Sequence, residues 1–183
     1  MVDTVKVLIT VHNPLRFDGS RFSPITLEQL VNSRGYGKTY LNPSPTYAKM
    51  GKYMPRLTMF KRASKGGTPV YQLAVEFSAP KMLLGNNFDE LQASDFEALL
   101  TNLQAALQEL LGHKFFTAQL AHADVSAWHP SKNIVFLDYT SCQTILNMIG
   151  KLDVSKMYDL QKTDFRDGHV VHIHANSVDI AFY

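Results

Sequence analysis

The sequence predicts an α+β fold in which a largely antiparallel sheet carries two main helices packed on one face. The order of periodic segments, β, ββ, α, β, α, ββ, is the first observation that predicts it. The second is a single apolar stripe on each of the two long helical segments. Because 45% of the 183 residues are hydrophobic and 19% are charged, we expect one well-buried domain spanning residues 1–183.

The first half of the chain predicts three strands around an irregular segment. Residues 5–11 alternate between apolar and other side chains, which is typical of a strand. Residues 13–55 are rich in Pro, Gly, Ser and Asn, so we expect an irregular basic insertion with one short helix near residues 25–31. Residues 56–62 and 71–77 then predict an antiparallel hairpin.

The second half opens with the clearest helix of the sequence. Ser94 and Glu97 have the spacing of a capping box, and the leucine stripe that follows stops at Gly112. The remaining predicted elements are a strand over residues 120–128, a helix over residues 141–152, and a hairpin of residues 169–175 and 178–183.

Positive charge is concentrated in one segment of the chain. Between Glu28 and Glu76 there is no acidic residue, while eight Lys and Arg residues lie there among several Tyr and Phe. Cations that hold phosphates beside rings that stack on unpaired bases favour binding of single-stranded nucleic acid. A solvated basic loop, or a surface for an acidic partner, is the alternative. The candidate DNA-binding residues are Lys49, Lys52, Arg56, Lys61, Arg62 and Lys65.

A pair of histidines near the end of the chain predicts a metal site. His172 and His174 are two positions apart in a predicted strand, so both imidazoles leave the same face while Val171 and Ile173 point to the buried side. Two ring nitrogens suit one divalent cation. Because the chain has seven histidines, the bare pattern is weakly specific, and surface histidines without a metal are the alternative.

A carboxylate on the preceding strand extends this hypothesis. Within residues 120–128, Asp124 is predicted to share one face with Ser126 and Trp128. If this strand joins the sheet of the histidine pair, Asp124 becomes the third ligand of Mg²⁺ or Mn²⁺, with positions left for a phosphate oxygen.

Five short stretches spread over the chain carry a family resemblance. They are Val-Asp-Thr-Val-Lys at 2–6, Ala-Val-Glu-Phe-Ser-Ala-Pro-Lys at 74–81, Gly-Asn-Asn at 85–87, Ala-Asp-Val at 123–125 and Asp-Ile-Ala-Phe-Tyr at 179–183. Together they resemble the amino-terminal region of the filamentous-phage gene II and gene X replication-associated proteins. Those proteins belong with the phage and plasmid initiators of rolling-circle replication.

The resemblance implies a His-hydrophobic-His endonuclease-like sandwich of the ferredoxin or RRM type. It implies metal-dependent, site-specific nicking of single-stranded origin DNA through a tyrosyl-phosphate intermediate, with His172 and His174 as metal ligands. The third ligand, Asp124, is matched less closely because this carboxylate varies between such families. The nucleophilic tyrosine usually follows the histidine strand on a helix. Tyr183 is the candidate within this chain, with a packed strand tyrosine as its alternative, and we expect the chain to be the amino-terminal part of a longer protein.

The expected partners are single-stranded or origin DNA, with host replication proteins as further partners. No apolar run is long enough to span a bilayer, so no membrane partner is expected. No secretory signal opens the sequence and it has a single cysteine, which favours the cytoplasm of a bacterial host cell. Two alternatives stay open: a non-catalytic DNA-binding module of the same family, and an unrelated α+β metalloenzyme acting on a small substrate.

Overall fold

The computed structural model divides the chain into two compact units, Met1–Asn133 and Ile134–Tyr183. The residues that it describes are 2–63, 67–87, 89–130, 134, 137–152, 161–165, 170–174 and 179–182. Lys65, a predicted DNA contact, and Tyr183, the candidate nucleophile, lie outside the described residues. None of the helices within these ranges has the length and apolarity needed to cross a bilayer.

The first unit is a five-stranded antiparallel sheet with short and long helices. Its strands are β1 (Val2–Val11), β2 (Gly37–Leu41), β3 (Arg56–Ala63), β4 (Pro69–Ser78) and β5 (Asp124–Pro130). Its helices are α1 (Leu27–Asn32), α2 (Pro45–Lys49), α3 (Ala79–Leu84), α4 (Phe96–Leu111) and α5 (Thr117–Ala121), with 3₁₀ turns at Pro14–Arg16 and Ala93–Asp95. The strand order is β2-β3-β4-β1-β5. The predicted α+β class with an antiparallel sheet is confirmed.

The core lies on one face of this sheet. Leu57 and Met59 of β3 are fully buried and alternate with more exposed residues, as the two-residue period of a strand requires. On β4, Leu73 and Val75 are fully buried on the same face, and the small Ala74 between them is buried as well. The same cluster contains buried residues of α1, α3 and α4. Each large apolar side chain buried in this way contributes about 1.5–3 kcal/mol of transfer free energy.

Helix α4 supplies the largest apolar surface to the core. Leu107 and Leu110 are fully buried, and the helix ends at Gly112, whose φ of 64° is left-handed, as the sequence predicts. The predicted capping box is wrong. The helix begins at Phe96, and the carboxylate of Asp95 instead accepts the backbone N–H of Gln92 at 2.8 Å.

Strand β2 falls within residues 13–55, which were predicted to be irregular except for one short helix. Two contacts hold it at the edge of the sheet. Ser23 and Tyr40 exchange backbone hydrogen bonds at 2.8 and 2.9 Å, and the buried Thr39 hydroxyl donates to the carbonyl of Ile25. The ladder with β3 and these loop contacts, rather than local periodicity, therefore determine this strand.

Strand β5 is shorter than predicted and contains a bulge. Residues 117–121 form helix α5, and the strand begins only at Asp124. Trp128 lies opposite Val5 of β1, whereas Asp124 lies opposite Leu8, so Ser126 is an extra residue in the pairing. The prediction that Asp124 and Trp128 share one face is therefore wrong, because the bulge reverses the alternation between them.

The described residues of the second unit form a three-stranded antiparallel sheet and one helix. Its elements are α6 (Cys142–Gly150), β6 (Gln161–Phe165), β7 (Val170–His174) and β8 (Asp179–Phe182), in the strand order β6-β7-β8. Leu146 of α6 packs against Val171 and Ile173 of β7. The pairing of β7 with β8 confirms the predicted terminal hairpin. Because the described strands form two sheets, the prediction of one sheet for the whole chain is wrong.

Candidate nucleic-acid interface

The face of the five-stranded sheet opposite the core cluster, here called the outer face, carries rings and cations. On β3, Arg56, Phe60 and Arg62 alternate with the buried Leu57 and Met59. Arg56 and Arg62 are exposed, and Phe60 is half-buried. Strand β3 therefore presents one aromatic ring and two cations on the outer face.

Two cation-ring pairs lie side by side on the outer face. The Nζ of Lys38 is 5.6 Å from the centre of the Tyr40 ring on β2. The guanidinium carbon of Arg62 is 5.3 Å from the centre of the Phe60 ring on β3. The register pairs Lys38 with Phe60, so the two pairs are direct neighbours. A hydrogen bond to Tyr40, and a weaker charge interaction with the exposed Tyr36, raise the pKa of Lys38.

A row of charges crosses the outer face near the end of the sheet. Arg56 is paired in register with Glu76, which in turn is paired with Lys6. The Lys6 ammonium and the Glu76 carboxylate are 3.9 Å apart, and both side chains are more than a third exposed, so this ion pair contributes little to stability. Within the described part of the chain, Arg56 has no salt bridge and remains a candidate for phosphate binding.

The predicted DNA-binding cations have different environments. Lys49 is exposed at the end of α2. Lys52 forms an ion pair with Glu109 of α4. Arg56 and Arg62 lie on the outer face.

Lys61 differs from these cations, because its side chain is turned into the core face. It is 7% exposed, and its ammonium donates to the carbonyls of Val31 at 2.6 Å and Ser33 at 2.5 Å, with a longer contact to Leu30 at 3.4 Å. These carbonyls lie at the C-terminal end of α1, where helical acceptors have no partner within the helix. Lys61 thus caps a helix and does not belong with the exposed cations of the outer face, while a DNA contact by this residue stays a prediction.

The histidine pair has the predicted local geometry. On β7 the rings of His172 and His174 are half-buried on one face, with centroids 5.6 Å apart, while Val171 and Ile173 are buried on the other. The hydroxyl of Thr163 on β6 lies 3.4 Å from Nε2 of His174. The register pairs His174 with residue 179 of β8. Two imidazoles can supply two ligands to one divalent cation.

The third predicted ligand, Asp124, belongs to the first unit and to another sheet than the histidines. It is exposed at the start of β5. In the described ranges no group of three or more His, Cys, Asp and Glu side chains could hold a metal ion. The role of Asp124 as a ligand therefore stays a prediction.

The pattern of charged and aromatic residues in the sequence does not distinguish Lys38 and Tyr40 as a pair. Their signal was present, because Lys38, Thr39, Tyr40 and Leu41 alternate between exposed or half-buried and fully buried positions. The surrounding Pro and Gly residues favour a loop in the sequence and conceal this alternation.

Comparison of the chain with protein-family models, with curated proteins and with solved structures finds no match.

Proposed function

We propose that this chain binds single-stranded DNA through the outer face of its five-stranded sheet and acts in the initiation of rolling-circle replication. The observation that carries the proposal is the pair of neighbouring rings, Tyr40 and Phe60, each with a cation over it.

The physical basis for binding is stacking combined with charge. Once Lys38 and Arg62 swing away from the rings that they cover, an unpaired base can stack on either ring without a sequence requirement, because every base has a π-face. Lys38 and Arg62 then reach the phosphates on either side of the stacked base, releasing their counterions. Adjacent strands hold the two rings at fixed positions, so little side-chain entropy is lost on binding.

The resemblance to phage and plasmid initiators supports DNA as the nucleic acid and origin recognition as the role. Those proteins act on single-stranded origin DNA, which is the form that a stacking surface accepts. The short stretches that carry the resemblance lie in both units, at residues 2–6 and 74–81 in the first and at residues 179–183 in the second.

We further propose that the second unit contributes to nicking of the bound strand. His172 and His174 would hold Mg²⁺ or Mn²⁺, which supplies Lewis-acid polarisation of the scissile phosphate when bound. A tyrosine hydroxyl, from Tyr183 or from sequence beyond it, forms the new P–O bond. The bond between phosphorus and the 3′-oxygen breaks, the phenol proton passes to water, and the leaving 3′-oxygen takes up a proton from water to become a hydroxyl. The side-by-side imidazoles, 5.6 Å apart, are the observation that favours this step.

Fluorescence anisotropy with a labelled oligothymidylate of about 16 nucleotides, the upper end of known site sizes, tests the binding proposal. Tyr40→Ala and Phe60→Ala should each weaken binding about 5- to 150-fold, the equivalent of 1–3 kcal/mol per stacked base. Phe116→Ala is the matched control, because Phe116 is an exposed ring at the start of α5 on the helical side. Equal effects of all three substitutions would refute the outer face as the binding surface.

A second experiment tests nicking with single-stranded origin DNA, Mg²⁺ or Mn²⁺, and an extended chain. A covalent protein-DNA adduct that is lost in His172→Ala and with a chelator is expected. DNA binding without an adduct would identify a non-catalytic module. Metal binding without measurable DNA affinity would favour an enzyme that acts on a small substrate and would refute both proposals.

A further inference from the structure

A cavity of about 440 Å³ lies in the first unit at the end of the sheet where β3 begins and β4 ends. Its walls come from α2, from the segment that leads into β3, and from the ends of β1, β4 and α3. This volume falls within the range of small-molecule sites. We call it the end cavity.

The end cavity has more available positive charge than negative charge. Lys52, Arg56 and Lys81 line it, together with the acids Asp3 and Glu76. Glu76 shares its charge with a cation outside the cavity, whereas Asp3 keeps its negative charge because its partner is a neutral hydroxyl, so one unpaired acid faces two unpaired cations among the described residues. Asp3 accepts a hydrogen bond from the Ser78 hydroxyl at 3.1 Å, and Glu76 forms the ion pair with Lys6.

Of the three cations, only Lys52 has an acidic partner among the described residues, since it pairs with Glu109. Arg56 and Lys81 are both exposed and have no such ion pair in that part of the chain. A guanidinium and an ammonium that converge on one cavity are suited to a phosphate group.

The walls also offer a hydroxyl donor and rings. The Tyr53 hydroxyl oxygen accepts the backbone N–H of Ser78 at 2.6 Å. Burial raises the pKa of Tyr53, so its O–H stays protonated and can donate. The half-buried ring of Tyr47 lines the same space and gives a flat apolar surface. The cations of the cavity suit the phosphate of one nucleotide, the Tyr53 hydroxyl suits its sugar, and the Tyr47 ring suits its base.

The end cavity is continuous with the outer face through one residue. Arg56 lines the cavity and also begins the line of outer-face residues on β3 that ends at Arg62. Arg62 lies six positions after Arg56 on the strand, a span of about 20 Å. A DNA strand that lies along β3 would therefore bring one of its ends to the cavity.

We infer that the end cavity binds the phosphorylated terminal nucleotide of the single strand that lies on the outer face. This inference rests on the proposed DNA binding and adds a second, chemically distinct subsite to it. The recognised group is a nucleoside monophosphate, from a strand terminus rather than from a free nucleotide.

Isothermal titration calorimetry on the full chain tests the inference with thymidine monophosphate, thymidine, and tetrathymidylate carrying a 5′-phosphate, a 3′-phosphate or neither. One of the two phosphates should strengthen tetrathymidylate binding about tenfold or more, and thymidine should bind more weakly than its monophosphate. Lys81→Gln should remove the gain from the terminal phosphate and leave the binding of unphosphorylated tetrathymidylate within about twofold. Lys114→Gln, at an exposed lysine outside the cavity, is the matched control and should change neither.

The outcomes separate this inference from the proposed function. If unphosphorylated tetrathymidylate binds, and neither terminal phosphate nor Lys81→Gln changes its affinity, the inference is overturned and DNA binding stands. If thymidine monophosphate binds but a terminal phosphate does not strengthen the binding of tetrathymidylate, the inference that the cavity binds a strand terminus is overturned. If no oligonucleotide binds at all, the proposed function and the inference fail together.

Discussion

The two faces of β3 use neighbouring cations for opposite purposes. Lys61 lies on the core face, where its ammonium binds the carbonyls that end α1. Arg62, the next residue, is exposed on the outer face with its guanidinium over the Phe60 ring. A count of positive charges in the sequence treats the two alike. The difference shows that the face of the strand decides whether a cation stabilises the fold or is available to a ligand.

Removal of Lys61, the cation on the core face, should have the largest effect, which is on the free energy of unfolding. Lys61→Met should lower it by about 3 kcal/mol, because charged hydrogen bonds are lost and buried carbonyls are left without partners. Arg62→Met should change it by no more than about 0.5 kcal/mol, as expected for an exposed side chain. Urea denaturation of the two variants measures both values, and equal losses would contradict the division of roles.

Strand β7 allows the same comparison between its buried face and the face that carries the histidines. Ile173→Ala should lower the free energy of unfolding of the second unit by about 2 kcal/mol, through lost packing against Leu146. His172→Ala should leave that stability nearly unchanged and weaken Mn²⁺ binding about tenfold or more, since one of two imidazole ligands is lost.

Calorimetric titration with Mn²⁺ measures the second effect. His122→Ala is the control, because His122 is an exposed histidine of the first unit. If His122→Ala and His172→Ala weaken binding equally, the metal does not bind at β7.

A smaller effect concerns the salt dependence of DNA binding. Arg56→Gln and Arg62→Gln should each reduce the slope of log affinity against log salt by about 0.7, the value for one phosphate contact on a single strand. This corresponds to about a threefold change between ~50 and ~200 mM salt. Arg16→Gln, at an exposed arginine in the first 3₁₀ turn, should leave the slope unchanged. An unchanged slope in Arg62→Gln would remove the outer face from consideration.

The smallest effect is the pH dependence contributed by Tyr53. Because burial raises its pKa above the ordinary 10.0, the folded state keeps this proton longer than the unfolded state does. Its contribution to stability is therefore fully present below pH 10 and is lost as the pH rises through the folded-state pKa. At neutral pH, Tyr53→Phe should lower the free energy of unfolding by about 1 kcal/mol, because the hydrogen bond to Ser78 is lost. Between neutral and alkaline pH, the free energy of unfolding should fall less in this variant than in the parent protein. Urea midpoints at about pH 7 and pH 11 test this.

Local patterns predicted those elements whose formation depends on their own residues. The leucine stripe of α4 and its stop at Gly112 were visible because a helix repeats every 3.6 residues and a left-handed position favours glycine. The alternation in β3 and β4 was visible for the same kind of reason. The exposed and buried sides of β7 at His172 and Ile173 followed directly from the period of a strand.

Features that depend on distant contacts could not be predicted. The pairing of Gly37–Leu41 with β3 makes β2 a strand, and nothing near Tyr40 in the sequence indicates this pairing or the bridge to Ser23. The bulge at Ser126 depends on the register between β1 and β5, which are more than 100 residues apart. The burial of Lys61 depends on where α1 ends. Sequence patterns therefore predicted which side of β7 carries the histidines, but they did not predict which residues lie on the outer face of the five-stranded sheet.

The backbone bridge between Ser23 and Tyr40 has a consequence for the behaviour of this protein in concentrated solution. Strand β2 is the first strand of its sheet, and such an edge offers unsatisfied N–H and C=O groups to any passing chain. The bridge occupies these groups on Tyr40 and covers that part of the edge with a loop. Neighbouring copies of the protein are therefore hindered from joining their sheets at this part of the edge.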